Sequence, residues 1–201
     1  MKKAILITPK SKSVPNMPDY DYIGVDAGAL LVLKAGYPLK FAIGDFDSMN
    51  EESYNQLLCQ TKVYKHPIEK DETDSELAVR TCSDFGYDEI ILWGGISGRL
   101  DHTMINILLL LHRDPNLVLM DENQKVQLLS IGSHCIQKGY RHISFFALEK
   151  TIITLKDFLY PLEHQEIDCS DLYLSSNSLL DSDGTVLIEK GKVLCIESNF
   201  E

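Results

Sequence analysis

Apolar and polar positions alternate in two different rhythms along this chain. Through roughly the first 120 residues, short β-branched runs are separated by stretches with helical spacing. Ala4–Thr8, Tyr22–Val25, Phe41–Ile43, Val63–His66, Ile90–Trp93 and Leu117–Met120 read as strands. Between them, Ala27–Ala35, Glu51–Gln60, Thr73–Phe85 and Leu100–Arg113 read as helices. Strand and helix in alternation predict an α/β fold: a mostly parallel sheet flanked by helices, Rossmann-like in outline. Thr73 with Glu76 forms a candidate capping box, Gly86 would close that helix, and Pro115 stops the next one. Ser48 followed by Glu51 marks a further helix start, and INILLLLH is expected to be the buried face of the last helix.

From about Lys125 the rhythm changes. KVQLLSI, HISFFAL, TIITL, DLYLS, TVLIEK and KVLCIE are short β-like runs between Gly, Asn, Asp and Ser. They predict an antiparallel β domain, a small sandwich or barrel. The boundary falls between Asp121 and Lys125, giving domains 1–122 and 123–201.

Composition narrows the chemistry. A length of 201 residues with 44% hydrophobic and 24% charged positions suits a globular protein with a substantial core. The net charge of −11 argues against a nucleic-acid partner, which needs basic contacts to phosphates. Five cysteines without a CxxC pair indicate reduced thiols and neither a disulfide framework nor a zinc knuckle. AILI is too short for a signal-peptide core, and no apolar run reaches a membrane-spanning length. A cytoplasmic protein with no membrane partner is expected.

Six aspartates then ask for an explanation: Asp26, Asp45, Asp47, Asp71, Asp74 and Asp101 all lie where strands end or helices begin. Two carboxylates about 4 Å apart repel by roughly 4 kcal/mol at an effective dielectric near 20. Gathered in one cleft they need a hard cation, and Mg²⁺ takes oxygen ligands together with substrate phosphates.

Each segment also has a purely structural reading. Asp26 in VDAGA is a ligand or a helix N-cap, with Gly28 allowing a tight entry to the helix. GDFDS places Asp45 and Asp47 on one side of an extended chain after Gly44, or is a polar turn. Asp71 and Asp74 face one another if both lie in a first helical turn, where carboxylates also simply suit the dipole. Lys70 beside them is the first positive group available to a phosphate. In GGISGRLDH, amides at Gly94, Gly95 and Gly98 can cradle phosphate, Arg99 can clamp it, and Asp101 can bind metal or position a hydroxyl. His102 is a base, a phosphate contact or a structural residue, and Trp93 belongs to the core or stacks on a base. Neither a P-loop nor GxGxxG is present.

Taken in order, VDAGA, GDFDS, KDETDSELA, GGISGRLDH and SSNSL closely resemble the thiamine pyrophosphokinase family over essentially the whole chain. The resemblance implies an α/β catalytic domain that binds ATP and Mg²⁺, and a β-sandwich for thiamine and dimerisation. It implies a homodimer with active sites between subunits, and transfer of a pyrophosphoryl group from ATP to the thiamine hydroxyl, releasing AMP. By the same resemblance Asp45, Asp47 and Asp74 are the leading Mg²⁺ residues, and Asp26, Asp71 and Asp101 complete the acidic site. Gly28, Lys70, Gly95, Gly98, Arg99 and His102 would serve ATP, while Ser176 and Asn177 match a Ser-Asn element near thiamine. No tryptophan follows residue 93, so stacking on thiamine would fall to a Tyr or Phe. Asp101 or Asp71 is the candidate acceptor of the hydroxyl proton. The DxD and the arginine-bearing turn would also serve a metal-dependent nucleotidyltransferase or phosphohydrolase, whereas the complete acidic set argues against a third reading, a nucleotide-binding regulator without turnover.

Overall fold

The computed structural model describes residues 1–69 and 71–200. The chain divides into two compact units, Met1–Glu122 and Asn123–Glu201.

The first unit runs β1 (Lys3–Ile7), β2 (Asp21–Val25), α1 (Gly28–Lys34), β3 (Leu39–Gly44), α2 (Glu51–Gln60), β4 (Lys62–Lys65), α3 (Asp74–Asp84), β5 (Glu89–Trp93), α4 (Leu100–His112) and β6 (Leu117–Met120). Within it the strand order is β4-β3-β2-β1-β5-β6, and every adjacent pair is parallel. The central strands are apolar at successive positions because both faces are covered: Ala4, Ile5, Leu6 and Ile7 are all fully buried. From β1 the chain builds outward to β4, and α3 then carries it back to β5 on the other side of β1. The order therefore reverses between β1 and β5, the place where open α/β sheets leave a crevice beyond their carboxyl ends.

Local chemistry sets the helix ends. Thr73 Oγ1 accepts from the Glu76 amide at 3.2 Å, capping α3. Gly86, at φ +73°, ends it with its amide on the Ser83 carbonyl at 3.0 Å. For α2 the cap is Asn50, which accepts from the Ser53 amide at 2.8 Å, rather than Ser48. The INILLLLH run of α4 is only partly a buried face. Within it Asn106, Leu109 and Leu110 are buried but Ile105 and Leu108 are exposed, as are Leu100 and Met104 just before it. No helix among the described residues is long and apolar enough to cross a membrane.

The second unit contains β7 (Gln124–Leu129), β8 (Gly132–Ile136), β9 (His142–Ala147), β10 (Thr151–Lys156), β11 (Leu162–Ile167), β12 (Gly184–Lys190) and β13 (Val193–Ser198). β13 pairs antiparallel with β7 and β9, while β11-β10-β12-β8 form an antiparallel four-stranded sheet. Side chains from both groups, among them Phe145, Val193 and Cys195 with Ile153, Val186 and Ile188, share one core. That shared core makes the unit a sandwich. Two strands escape the sequence pattern, β8 and β11, and both are sheet edges. The four residues Glu163–Glu166 of β11 are all exposed, which blunts the edge and removes the alternation that signals a strand. DLYLS, expected to be extended, instead contains a 3₁₀ turn at Leu172–Leu174. Asp168 and Asp171 compete for the backbone there: Asp168 Oδ1 accepts from the Ser170 amide and Asp171 Oδ2 from the Asp168 amide, each at 2.8 Å.

Candidate active site

A cleft of about 260 Å³ opens at the carboxyl ends of β1, β2 and β5, the reversal point of the sheet. Its walls include Thr8 and Lys10 after β1, Asp26 after β2, Gly94 and Gly95 after β5, Thr73 and Asp74 at the start of α3, and His102 and Asn106 of α4.

Three carboxylates converge beside it. One oxygen each from Asp26, Asp45 and Asp74 lies within 4.8 Å of the others, and all three residues are half-buried. Backbone geometry brings Asp26 into this group. Its φ of +46° is left-handed, a conformation that costs a non-glycine residue about 1–3 kcal/mol. The surroundings hold it: the Asp26 amide donates to the Ile43 carbonyl at 3.0 Å, and Asp26 Oδ1 accepts from the Phe46 amide at 3.2 Å. Asp26 is therefore not the helix cap, a position taken by Ala27 without a side-chain bond. Burial, followed by repulsion from Asp74, pushes the Asp26 carboxyl up to about 7, against the opposing pull of the Phe46 amide.

Phe46 is also left-handed, at φ +59°. Asp45 thus faces the cluster while Asp47 is exposed and outside it, contributing its amide to Asp45 Oδ1 at 3.1 Å. Asp71 does not share a helical turn with Asp74, because α3 begins at Asp74; it is exposed ahead of the cap. Lys70 lies outside the described residues. The trio offers only hard oxygen donors in a partly dry setting, a donor set that fits Mg²⁺.

Glycines let the surrounding backbone approach. A Cβ on Gly28 would sit 1.9 Å from the Ile7 carbonyl oxygen, so α1 can start against the end of β1 only without a side chain. At Gly94, φ +79°, a Cβ would meet Thr8 Oγ1 at 2.6 Å. The turn that follows is held from α4, where Asn106 Nδ2 donates to the Gly95 carbonyl at 2.6 Å, and by Ser97 Oγ donating to Asp121 Oδ2 at 3.1 Å. Gly98 and Arg99 complete it. Arg99 is exposed and bidentate on Asp101, Nε to Oδ1 at 3.0 Å and Nη2 to Oδ2 at 2.5 Å. Those bonds from Arg99 hold the Asp101 carboxyl at about 2, too acidic for a good proton acceptor near neutral pH.

Sequence reasoning did not single out Lys10, Asn106 or Ser97. Lys10 had a legible signal, as a cation three residues beyond the end of a central strand. Asn106 and Ser97 had none.

Comparison with known proteins bears on what this arrangement is for. Residues 20–120 match the thiamin pyrophosphokinase catalytic domain, and residues 133–193 match the thiamin pyrophosphokinase vitamin B1 binding domain. The thiamine pyrophosphokinase of Bacillus subtilis (strain 168) is 32% identical over 198 residues, covering 92% of each chain. The chain belongs to the thiamine pyrophosphokinase family. The family's transferase activity is accordingly assigned to it. A crystal structure of the Bacillus subtilis thiamine pyrophosphokinase superposes with a TM-score of 0.88 at 30% identity, covering all of both chains. A thiamin pyrophosphokinase family protein from Enterococcus faecalis gives 0.86 at 26%, again over 100% of each.

In the second unit, within the segment matching the family's vitamin B1 binding domain, Ser176 is exposed and left-handed at φ +58°, its amide bonded to Ser144 Oγ at 3.0 Å. Asn177 is only 5% exposed. Its amide brackets a neighbouring residue: Nδ2 donates to the Tyr160 carbonyl at 2.9 Å, and Oδ1 accepts from the amides of Tyr160 at 3.0 Å and Ser178 at 2.9 Å. Tyr160, Leu174 and Asn177 line a small cavity of about 40 Å³, with Tyr160 and Tyr173 exposed around it.

Proposed function

We propose that the cleft of the first unit binds ATP with Mg²⁺ and transfers its terminal pyrophosphoryl group to the hydroxyl of thiamine, releasing AMP. The convergence of Asp26, Asp45 and Asp74 at the sheet's reversal point, next to the Gly94–Gly95 turn, is the observation that carries this reading. Those three residues would hold Mg²⁺, which when bound supplies charge neutralisation to the polyphosphate. Backbone amides of the glycine turn and the N-terminal turn of α4 face an anion favourably. Asp101 fixes the direction of the Arg99 guanidinium instead of taking a proton. In-line placement of hydroxyl and phosphorus is then a matter of positioning, the main contribution a protein makes to such transfers.

Thiamine's permanent positive charge suits an acidic protein of net charge −11. Ser176 stays available to a ligand, whereas Asn177 supports the Tyr160 turn. The protein works as a homodimer: the exposed Leu100, Met104 and Leu108 of α4, and Leu159, Tyr160 and Tyr173 of the second unit, supply apolar surface of the kind subunits cover. Five free cysteines support a reducing, cytoplasmic setting.

Purified protein given ATP, Mg²⁺ and thiamine should form AMP and thiamine diphosphate in equal amounts. Folded protein that yields neither, or that releases free pyrophosphate or phosphate instead, overturns the reading.

A further inference from the structure

The cleft has an electrostatic imbalance. A polyphosphate entering it meets Asp26 and Asp74 on one wall, and the Arg99 charge is already cancelled by the bidentate contact with Asp101. His102, the other basic side chain of the lining, is a cation only when protonated. One permanent cation remains among the described lining residues, Lys10.

Lys10 makes no ion pair with any described residue. Its stem lies against the glycine turn: a Cβ on Gly98 would meet Lys10 Cδ, Cγ and Cε at 3.7, 3.8 and 3.9 Å. The loop that carries it is pinned at both sides. The Thr8 amide donates to the Trp93 carbonyl at 3.2 Å, Ser11 Oγ donates to the same carbonyl at 2.9 Å, and the Ser11 amide closes the turn on the Thr8 carbonyl at 3.1 Å. Both Thr8 and Ser11 are buried. Two such anchors fix the backbone that carries Lys10 and so keep the root of its side chain at the cleft.

We propose that Lys10 is a substrate-binding residue whose ammonium receives the polyphosphate of the nucleotide over the Gly94–Gly98 turn. This rests on the reading of the cleft as the ATP site. The role is that of a point charge, which tolerates arginine better than it tolerates a neutral side chain of equal length.

The experiment compares Lys10→Met, Lys10→Arg and, as a control for overall charge, Lys12→Met two residues along the same loop. Steady-state assays should show the KM for Mg·ATP rising about 10- to 100-fold in Lys10→Met, the size expected for losing one charge-assisted contact, with thiamine KM unchanged. Lys10→Arg should recover most of that loss and Lys12→Met should match the parent. Calorimetric binding of inorganic tripolyphosphate to parent and Lys10→Met tests the same contact without turnover. Inactive parent protein would count against the ATP-to-thiamine reading, while weakened tripolyphosphate binding in Lys10→Met would still support the contact. An unchanged KM for Mg·ATP with equal tripolyphosphate binding, or an equal loss in Lys12→Met, overturns it.

Discussion

The carboxylate of Asp26 rests on the bare α-carbon of Gly44, where a Cβ would lie 1.8 Å from Oδ1. Two strand ends are thereby locked into one site, since Asp26 follows β2 and Gly44 ends β3. Gly44→Ala must push the carboxylate out of the cluster. Its Mg²⁺ affinity should fall at least about tenfold, the usual cost of disturbing a ligand's support. Gly36→Ala is the matched control, because Gly36 is also at positive φ but has open space where its Cβ would go. That variant should lose stability alone. Isothermal titration with Mg²⁺ separates the two, and equal affinities would remove Gly44 from the site.

Raising the Asp26 carboxyl to about 7 links folding to pH. Its ordinary value is 3.8, so the folded metal-free protein resists ionising it, and stability is lost as pH rises between the two values. The penalty is complete above about 7. A divalent cation binds the ionised form and offsets the penalty. Thermal melts at pH 5.5 and pH 8 should therefore show a larger Mg²⁺-induced rise in Tm at the higher pH, and Asp26→Asn should flatten the difference. A rise of the same size at both pH values would contradict the coupling.

Asp101 is tied to Arg99, and this predicts a modest kinetic role. Removing a general base typically costs about 10²- to 10⁴-fold in rate. Asp101→Asn should lose less than about tenfold in kcat, keep the acidic limb of the pH–rate profile, and change the KM for ATP through a freed Arg99. A loss of a hundredfold or more with the acidic limb gone would return the base role to Asp101.

Asn177 is expected to act through structure first. Asn177→Ala removes the bonds to the Tyr160 amide and carbonyl, which are part-buried, and a lost hydrogen bond of this kind costs about 0.5–1.5 kcal/mol. Urea unfolding should show a loss of that order, together with a raised KM for thiamine. Asn177→Asp keeps the acceptor for the Tyr160 and Ser178 amides and should retain part of the stability. Full stability in Asn177→Ala would dismiss the bracket.

Much of the first unit was legible because strands buried on both faces, such as AILI of β1, carry an uninterrupted apolar signal. The same physics hid β11, whose exposed EHQE has nothing apolar to alternate. Within the site, strand ends marked Asp26 and Asp45, and the Thr73 cap marked Asp74. Which carboxylates would meet was not legible, since the choice depends on left-handed turns at Asp26, a residue type that tolerates them without demanding them, and at Phe46, which no local propensity announces. Asp47 was the attractive partner on spacing alone, and Phe46 turns it outward. The i, i+3 pairing of Asp71 with Asp74 assumed a helix one turn longer than the capped one that forms.

Trp93 ends β5 one residue before the glycine turn, and it is the only tryptophan in the chain. Its indole is mostly buried, with Nε1 donating to the Ser13 carbonyl at 2.9 Å, and its own carbonyl anchors the loop bearing Lys10. The protein thus has a single indole, hydrogen-bonded to the loop that borders its cleft. Under excitation selective for the indole, emission from the unlabelled chain is expected to change when the cleft fills, with no second indole to blur the signal.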